Sequence, residues 1–296
     1  QIVAVATDAS GNETAFEAIQ FQTDPLPEDF PRFVLEHSDP ERMEPGATLF
    51  NLMRWPEGGS DDEFGAVVIL DQEGEVVWYY LTDHDIIDAR MLANGNLLYQ
   101  SGRERAVEVD MYGNIVGQWH PMATTREIPE GSVGVDTETF HHEILEMPSG
   151  NLLTLSTEMR NYDEYPSSTL DPEARNDFAS VVGDVVLEFS RDGQVQRELK
   201  LLDVLDPYQT GSGPSLAGGF WAEIYGDRAE GTLIDWAHTN AVFFDPESNA
   251  FILSVRVLDV VVKVDADSGQ IVWMLGPHDR WTAPWSDYLL SPQGEL

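Results

Sequence analysis

The feature that most constrains this chain is a repeated phrase, an acidic turn and a glycine leading into a strand. It occurs as Asp71-Gln72-Glu73-Gly74-Glu75-Val76-Val77-Trp78, as Asp110-Met111-Tyr112-Gly113-Asn114-Ile115-Val116, as Arg191-Asp192-Gly193-Gln194-Val195 and as Asp265-Ala266-Asp267-Ser268-Gly269-Gln270-Ile271-Val272-Trp273. The glycines at 74, 113, 193 and 269 are 39, 80 and 76 positions apart. One unit is therefore about 40 residues, and the longer intervals are units carrying insertions. A second phrase runs in the same units: Asn94-Gly95-Asn96-Leu97-Leu98-Tyr99-Gln100-Ser101, Ser149-Gly150-Asn151-Leu152-Leu153-Thr154-Leu155-Ser156 and Glu247-Ser248-Asn249-Ala250-Phe251-Ile252-Leu253-Ser254. Each reads as a hairpin turn followed by a strand ending in serine. Four short strands per unit of this length is the blade of a β-propeller. The expected fold is all-β, with about four blades.

The first 30 residues follow neither phrase. Ile2 to Thr7, a turn at Ser10-Gly11-Asn12, and Ala18 to Thr23 read as the closing hairpin of a small β-sandwich. The stretch Asp24-Pro25-Leu26-Pro27-Glu28-Asp29-Phe30-Pro31 reads as a proline-stiffened joint. The domain expectation is a sandwich end with linker over 1–30 and an incomplete propeller over 31–296. A lone hairpin is marginal in water, and four blades close a ring poorly, so the sequence reads as part of a longer chain.

Charge excludes some partners. The 53 acids stand against 16 bases, of which Lys200 and Lys263 are the lysines, for a net charge of −37. Such a field repels phosphate, so nucleic acid and anionic membranes are not expected partners. An acidic, lysine-poor surface suits high ionic strength, and a marine or halophilic source is the expectation from composition. Cysteine is absent, which removes disulfides, zinc thiolates and thiol nucleophiles. No apolar run approaches the roughly 18 residues of a membrane span.

The register of the repeats nominates functional side chains. The third and fourth units superpose at an offset of 98, which places Ser254 on Ser156 and Asn240 on His142. His238 and Asn240, two apart at the head of a strand, are expected to share a face. With the innermost strand of each blade lining the channel, His142, His238 and Asn240 are expected to converge there. Ser254-Val255-Arg256 falls on Ser101-Gly102-Arg103, so Arg256 and Arg103 occupy corresponding strand ends, where positive charge would suit an anionic ester. Each residue also has a bland explanation: a satisfied structural histidine, an Arg256–Asp259 surface pair, Trp236 as blade packing. The combination in register favours function, because polar groups aimed at one cavity are costly as pure structure. The segment from Asp265 begins like a calcium loop, but the twelfth position is Gly276 where glutamate is needed, so it reads as a β-turn. His278 reads as a turn residue, and His37, His84 and His120 have no supporting constellation. No metal site is expected.

At Asp235-Trp236-Ala237-His238-Thr239-Asn240, with Leu253-Ser254-Val255-Arg256 and Gly269-Gln270-Ile271-Val272-Trp273-Met274-Leu275-Gly276, the chain resembles the bacterial arylsulfate sulfotransferases. His141-His142-Glu143-Ile144 with Gly150-Asn151-Leu152-Leu153 is similar to the same family. The resemblance implies a six-bladed propeller outside the cytoplasm, periplasmic or secreted. It implies transfer of a sulfuryl group from an aryl sulfate to a phenol through a sulfated histidine, with no cofactor and no nucleotide sulfate. It further implies that Arg256, His238 and Asn240 bind the transferring group and that His142 moves protons, with His141 a substrate contact beside it; Arg103 is added to the substrate contacts by repeat symmetry alone. The family's nucleophilic histidine belongs to a further blade, and no residue here matches its motif; the family's cysteine pair is absent too. The oligomeric state is open, a homodimer among the options. Two rivals stand beside this reading: a quinoprotein-like dehydrogenase propeller, whose docking Trp the third unit lacks at Gln196-Arg197-Glu198-Leu199, and a non-enzymatic propeller that binds a ligand or partner.

Overall fold

The repeated phrases form the turns of a propeller. A computed structural model describes the chain apart from residues 1–2, 19–24, 29, 40, 55–63, 83, 169–173, 176–177, 212–215, 218, 220 and 294–296. Two units are distinguished: Gln1–Pro45 with Gln72–Glu75, and Gly46–Asp71 with Val76–Leu296. In the first, β1 (Val5–Thr7) pairs antiparallel with β2 (Glu13–Ala15), the small sheet that resembles a sandwich remnant. The second strand thus starts directly after the turn, not at Ala18. The Asp8 carboxylate accepts the Ser10 and Asn12 amides and closes the chain there. Residues 19–23 of the strand expected from the sequence lie outside the described residues.

The second unit holds four sheets in a propeller arrangement. The first comprises β3 (Thr48–Arg54), β4 (Phe64–Leu70) and β5 (Val76–Thr82). The second comprises β6 (Ile86–Met91), β7 (Leu97–Ser101), β8 (Arg105–Val109) and β9 (Ile115–Pro121), with β10 (Val133–Val135) added parallel to β9. The third comprises β11 (His141–Glu146), β12 (Leu152–Asp163), β13 (Phe178–Phe189) and β14 (Val195–Lys200). It is enlarged by α1 (Leu201–Val204), β15 (Leu216–Ala217), α2 (Ala222–Tyr225) and β16 (Thr232–Asp235), the last parallel to β13. The fourth comprises β17 (Thr239–Asp245), β18 (Ala250–Val255), β19 (Val260–Asp265) and β20 (Ile271–Leu275). The extended β12–β13 hairpin and the 201–238 excursion are insertions of the kind the wide glycine spacing required.

The Gly-Asn phrase joins the first and second strands, and the acidic phrase joins the third and fourth. In the latter, Asp110 accepts the Tyr112 and Asn114 amides, and Gly113 takes φ 82°, which a side chain would resist. Asp265 closes its turn likewise on Asp267 and Ser268, the β-turn expected there.

Successive sheets bury their faces against one another. Val67, Ile86, Tyr99 and Val107 form the core between the first pair, Leu98, Trp119, Ile144 and Leu187 the next, and Leu155, Val186, Phe251 and Leu253 the last. Burial on both faces explains why strands such as Ala66-Val67-Val68 read as continuous apolar runs. Fourth strands dock on the next blade's acidic turn: Trp78 Nε1 donates to the Met111 carbonyl (3.0 Å) and Trp119 Nε1 to that of Arg191 (2.9 Å). In the third blade Arg197, standing where the Trp would be, reaches Asp267 Oδ1 at 3.1 Å.

The first strands β6, β11 and β17 lie against one another in sequence, as strands around a propeller axis do. Each begins with a register shift against its hairpin partner, between Ile86 and Asp88, His141 and Ile144, and Thr239 and Ala241. A carboxylate of the preceding blade takes up an amide beside the second and third shifts. Asp88 Oδ2 accepts the Ile144 N–H (3.1 Å), and Glu143 Oε2 accepts the Val242 N–H. Arg90 holds both acids, by Nε to Asp88 (3.0 Å) and Nη2 to Glu143 (2.5 Å). Replacing Glu143 by Ala would strand the Val242 amide and leave Arg90 with Asp88 alone. Urea unfolding of Glu143→Ala is expected to show a loss of about 2–3 kcal/mol; a loss no larger than that of an exposed control, Glu75→Ala, would show that this contact does not hold the blades.

Candidate active site

The site is built at the ends of the first strands remote from the hairpin turns, where the register shifts lie. His142 falls within the shift of β11 with φ 63°, and His238 immediately precedes β17 with φ 48°. Left-handed backbone is unfavourable for residues bearing a Cβ and persists where surrounding contacts over-determine it. Bulges re-aim side chains, and here they bring three imidazoles into a row. The His141 and His142 ring centroids are 5.1 Å apart, as are those of His142 and His238, and both pairs meet edge to face.

Carboxylates anchor the two ends of the row. His238 Nδ1 lies 2.6 Å from Asp235 Oδ2, and the other oxygen of Asp235 accepts Trp221 Nε1–H at 3.1 Å. The nitrogen that faces Asp235 therefore carries hydrogen. At the other end His141 Nε2 is 3.0 Å from the Ser156 carbonyl oxygen and 3.5 Å from Asp184 Oδ1. Asp184 Oδ2 in turn accepts the Thr239 N–H at 2.6 Å, so this carboxylate links the third and fourth blades. Burial pushes Asp184 up to about 7. His141 is driven well below the ordinary imidazole range, first by burial and then by the charge of His142. His142 is lowered to about 4, again first by burial, with His238 and Arg256 adding to the effect and Asp235 opposing it.

The insertion completes the walls. Trp221, just before α2, and Tyr225 at its end pack with Val182 of β13, and the Tyr225 hydroxyl meets Thr157 Oγ1 at 2.7 Å. Trp221 packs edge-on against His141, with centroids 5.3 Å apart, and the Arg103 guanidinium lies 5.8 Å from the Trp221 ring centre. Arg103 also reaches Glu223 at 3.4 Å and lines a cavity of 690 Å³ with Arg105, His84 and His120. His84 and His120, which the sequence left without a constellation, thus line one cavity with two arginines and the acids Asp85, Glu104 and Glu223.

The expected residues are placed unequally. His142 and His238 come together, and Arg256 is close enough for its charge to disfavour protonation of His142. Among the described residues no ion pair involves the Arg256 guanidinium, and Asp259 pairs with Arg280 at 3.0 Å. Arg103 and Arg256 do occupy corresponding turns, just past β7 and β18. His141 is buried at 1% exposure with a hydrogen-bond partner at each ring nitrogen, so it stands behind His142 and not at the channel surface. His238 and Asn240 do not share a face. Strand β17 starts only at Thr239 and its register shifts at Asn240, so the alternation of a regular strand fails, leaving His238 buried and Asn240 exposed. Trp236 is a packing residue whose Nε1 donates to the Gln209 carbonyl at 3.0 Å. His278 is a turn residue whose ring meets the Leu290 carbonyl at 2.9 Å. Sequence reasoning missed Asp184, Trp221 and the role of Asp235; the spacing Asp235-Trp236-Ala237-His238 was the one local signal.

These features define a β-propeller with a histidine-rich polar site at one end of its innermost strands. The chain belongs to the arylsulfotransferase (ASST) family, whose model matches residues 34–295. Arylsulfate sulfotransferase AssT of Escherichia coli O6:H1 is 26% identical over 246 residues, 76% of this chain and 38% of that protein. AssT of Lelliottia amnigena is 25% identical over 254 residues, with the same coverage. The chain thus spans well under half the length of these relatives. Among solved structures, a Bacteroides caccae protein of unknown function aligns over 72% of this chain and 55% of its own length, at 14% identity and a TM-score of 0.38.

The lowered His142 has a thermodynamic signature. Unfolded, it titrates near 6.5, and folded near 4. Between these values the unfolded chain binds a proton that the folded chain refuses. Its contribution is intact above pH 6.5 and is lost as pH falls toward 4, on the order of 3 kcal/mol. His142→Gln is expected to lose less unfolding free energy than the wild type between pH 7 and pH 4.5. Parallel pH curves for the two proteins would show that His142 is not held neutral.

Proposed function

We propose that this chain supplies part of the substrate funnel of an aryl sulfate sulfotransferase. The supporting observation is the row His141–His142–His238 beside Arg256 in a member of the arylsulfotransferase family. The reaction moves a sulfuryl group from a phenolic sulfate ester to a phenol, without a nucleotide donor and without a cofactor, and takes place outside the cytoplasm. The donor's sulfur–oxygen bond breaks as a histidine nitrogen bonds to sulfur, and the phenolate leaves with the electron pair. In the second half the acceptor phenol's oxygen bonds to sulfur, the sulfur–nitrogen bond breaks, and the phenol's proton passes to a base. We assign the nucleophile to no residue of this chain.

Sulfuryl transfer resembles phosphoryl transfer in placing charge on peripheral oxygens at a loose transition state. Arg256, exposed and in no ion pair among the described residues, would meet those oxygens with a charged donor. His238, its ring fixed by Asp235, and the exposed Asn240 amide, on the other face of the chain, are the further groups we assign to the transferring ester. His142, neutral at physiological pH, suits the role of base toward the acceptor phenol. Arg103, on the rim of the neighbouring cavity, would steer an anionic ester into a protein whose distant field repels it.

The test is release of nitrophenolate from 4-nitrophenyl sulfate with phenol as acceptor, by a version of the protein extended through the additional length its relatives possess. Phenol-dependent release is expected, with Arg256→Ala and His238→Ala each lowering kcat by about 100- to 1,000-fold. A folded, extended protein that releases no nitrophenolate and carries no sulfated histidine by mass spectrometry would overturn the proposal.

A further inference from the structure

We infer that His141 is a positioning residue: it holds His142 in the tautomer with hydrogen on Nδ1, leaving the Nε2 lone pair as the proton acceptor toward substrate. This deepens the sulfotransferase reading and takes its functional meaning from it. The argument starts at the buried end of the row. The Ser156 carbonyl oxygen can only accept a hydrogen bond, so His141 Nε2, 3.0 Å away, carries hydrogen. A neutral His141 then has a bare lone pair on Nδ1. That lone pair faces His142 Nδ1 at 2.9 Å, and two nitrogens at this distance need one proton between them. It must come from His142. With its hydrogen committed to Nδ1, neutral His142 has an unprotonated Nε2.

The opposite arrangement would place hydrogen on both nitrogens of His141 and turn His142 into an Nε2–H donor. It requires an imidazolium at 1% exposure, opposed first by burial and also by the positive charge of Arg103. The Ser156 carbonyl favours it, but burial outweighs that contact, and Asp184 is the carboxylate nearby. Its nearer contact, however, is the Thr239 amide at 2.6 Å, against 3.5 Å to His141. Around His142 itself, His238 and Arg256 disfavour a second proton and Asp235 favours one. The backbone supports the assignment, because the left-handed φ of 63° within the register shift turns His142 back toward His141 and across to His238. A residue merely filling the core at 141 would need no acceptor at this point.

The experiment is long-range proton–nitrogen NMR on this chain labelled with ¹⁵N-histidine, with the His142 signals identified by their loss in His142→Gln. At pH 7 His142 is expected to show a protonated Nδ1 and a bare Nε2. His141→Asn, whose side-chain oxygen can stand in for the Nδ1 acceptor, is expected to retain this pattern. His141→Phe, which offers no acceptor, is expected to shift His142 toward the Nε2–H form that free histidine prefers. A protonated Nε2 in the wild type overturns the inference, as does an unchanged His142 in a folded His141→Phe. Should His141→Phe not fold, the wild-type and His141→Asn spectra decide. The outcome is independent of the transfer assay: absence of sulfate transfer removes the enzymatic reading and leaves the tautomer assignment standing, whereas a wrong tautomer removes His141 as a positioning residue and leaves transfer untouched.

Discussion

The interaction on which the rest of this structure depends is a carboxylate reaching from one blade to a backbone amide of the next. Register shifts at the heads of β11 and β17 interrupt the strand ladder. Asp88 and Glu143 accept the amides of Ile144 and Val242 just past those shifts, and Asp184 accepts that of Thr239. A buried amide without a partner costs free energy comparable to a lost hydrogen bond, so each bulge is sustainable only with the neighbouring blade in place. Blade order and site geometry are therefore one problem. The bulges that bring His142 beside His238 exist because acids of the preceding blade satisfy what they leave open.

This gives part of the acidic composition a structural use. Several of the few bases join elements that are distant in sequence: Arg90 to Glu143, Arg191 to Glu108 and Glu146, and Arg160 to Asp203. The Arg191 pair is anchored again by the indole of Trp119 on its carbonyl. Against that pattern Arg256 is exposed and outside any ion pair among the described residues, which is what the ligand role proposed for it requires. Arginine suits the task because its planar fork meets oxyanions with paired donors.

The insertion in the third blade supplies contacts to the imidazole row that a bare propeller lacks. It returns to β13 through β16 and delivers Asp235 to His238, while α2 lays Trp221 between Asp235 and His141. Gly183 permits the approach of the excursion, since a Cβ there would come within 2.4 Å of Leu202. The two ends of the imidazole row are thus held by different devices. Asp184 comes from the blade itself and Asp235 from the inserted segment.

The glycine phrases determined the blade count, the positions of the turns and the presence of insertions, because tight turns and buried strands are local consequences of residue type. They also aligned Asn240 with His142 and Arg256 with Arg103. What lay beyond the sequence was every relation that depends on a bulge or an insertion. Alternation predicted one face for His238 and Asn240, yet one extra residue in the ladder buries the first and exposes the second. It offered no means of seeing that Asp184 and Trp221, from separate elements, meet His141. Nor could it show His141 to be buried behind His142. Local patterns repeat along the chain and can be read from it; the protonation state of a histidine follows from which distant groups the fold packs against each ring nitrogen, and only the tertiary structure decides that.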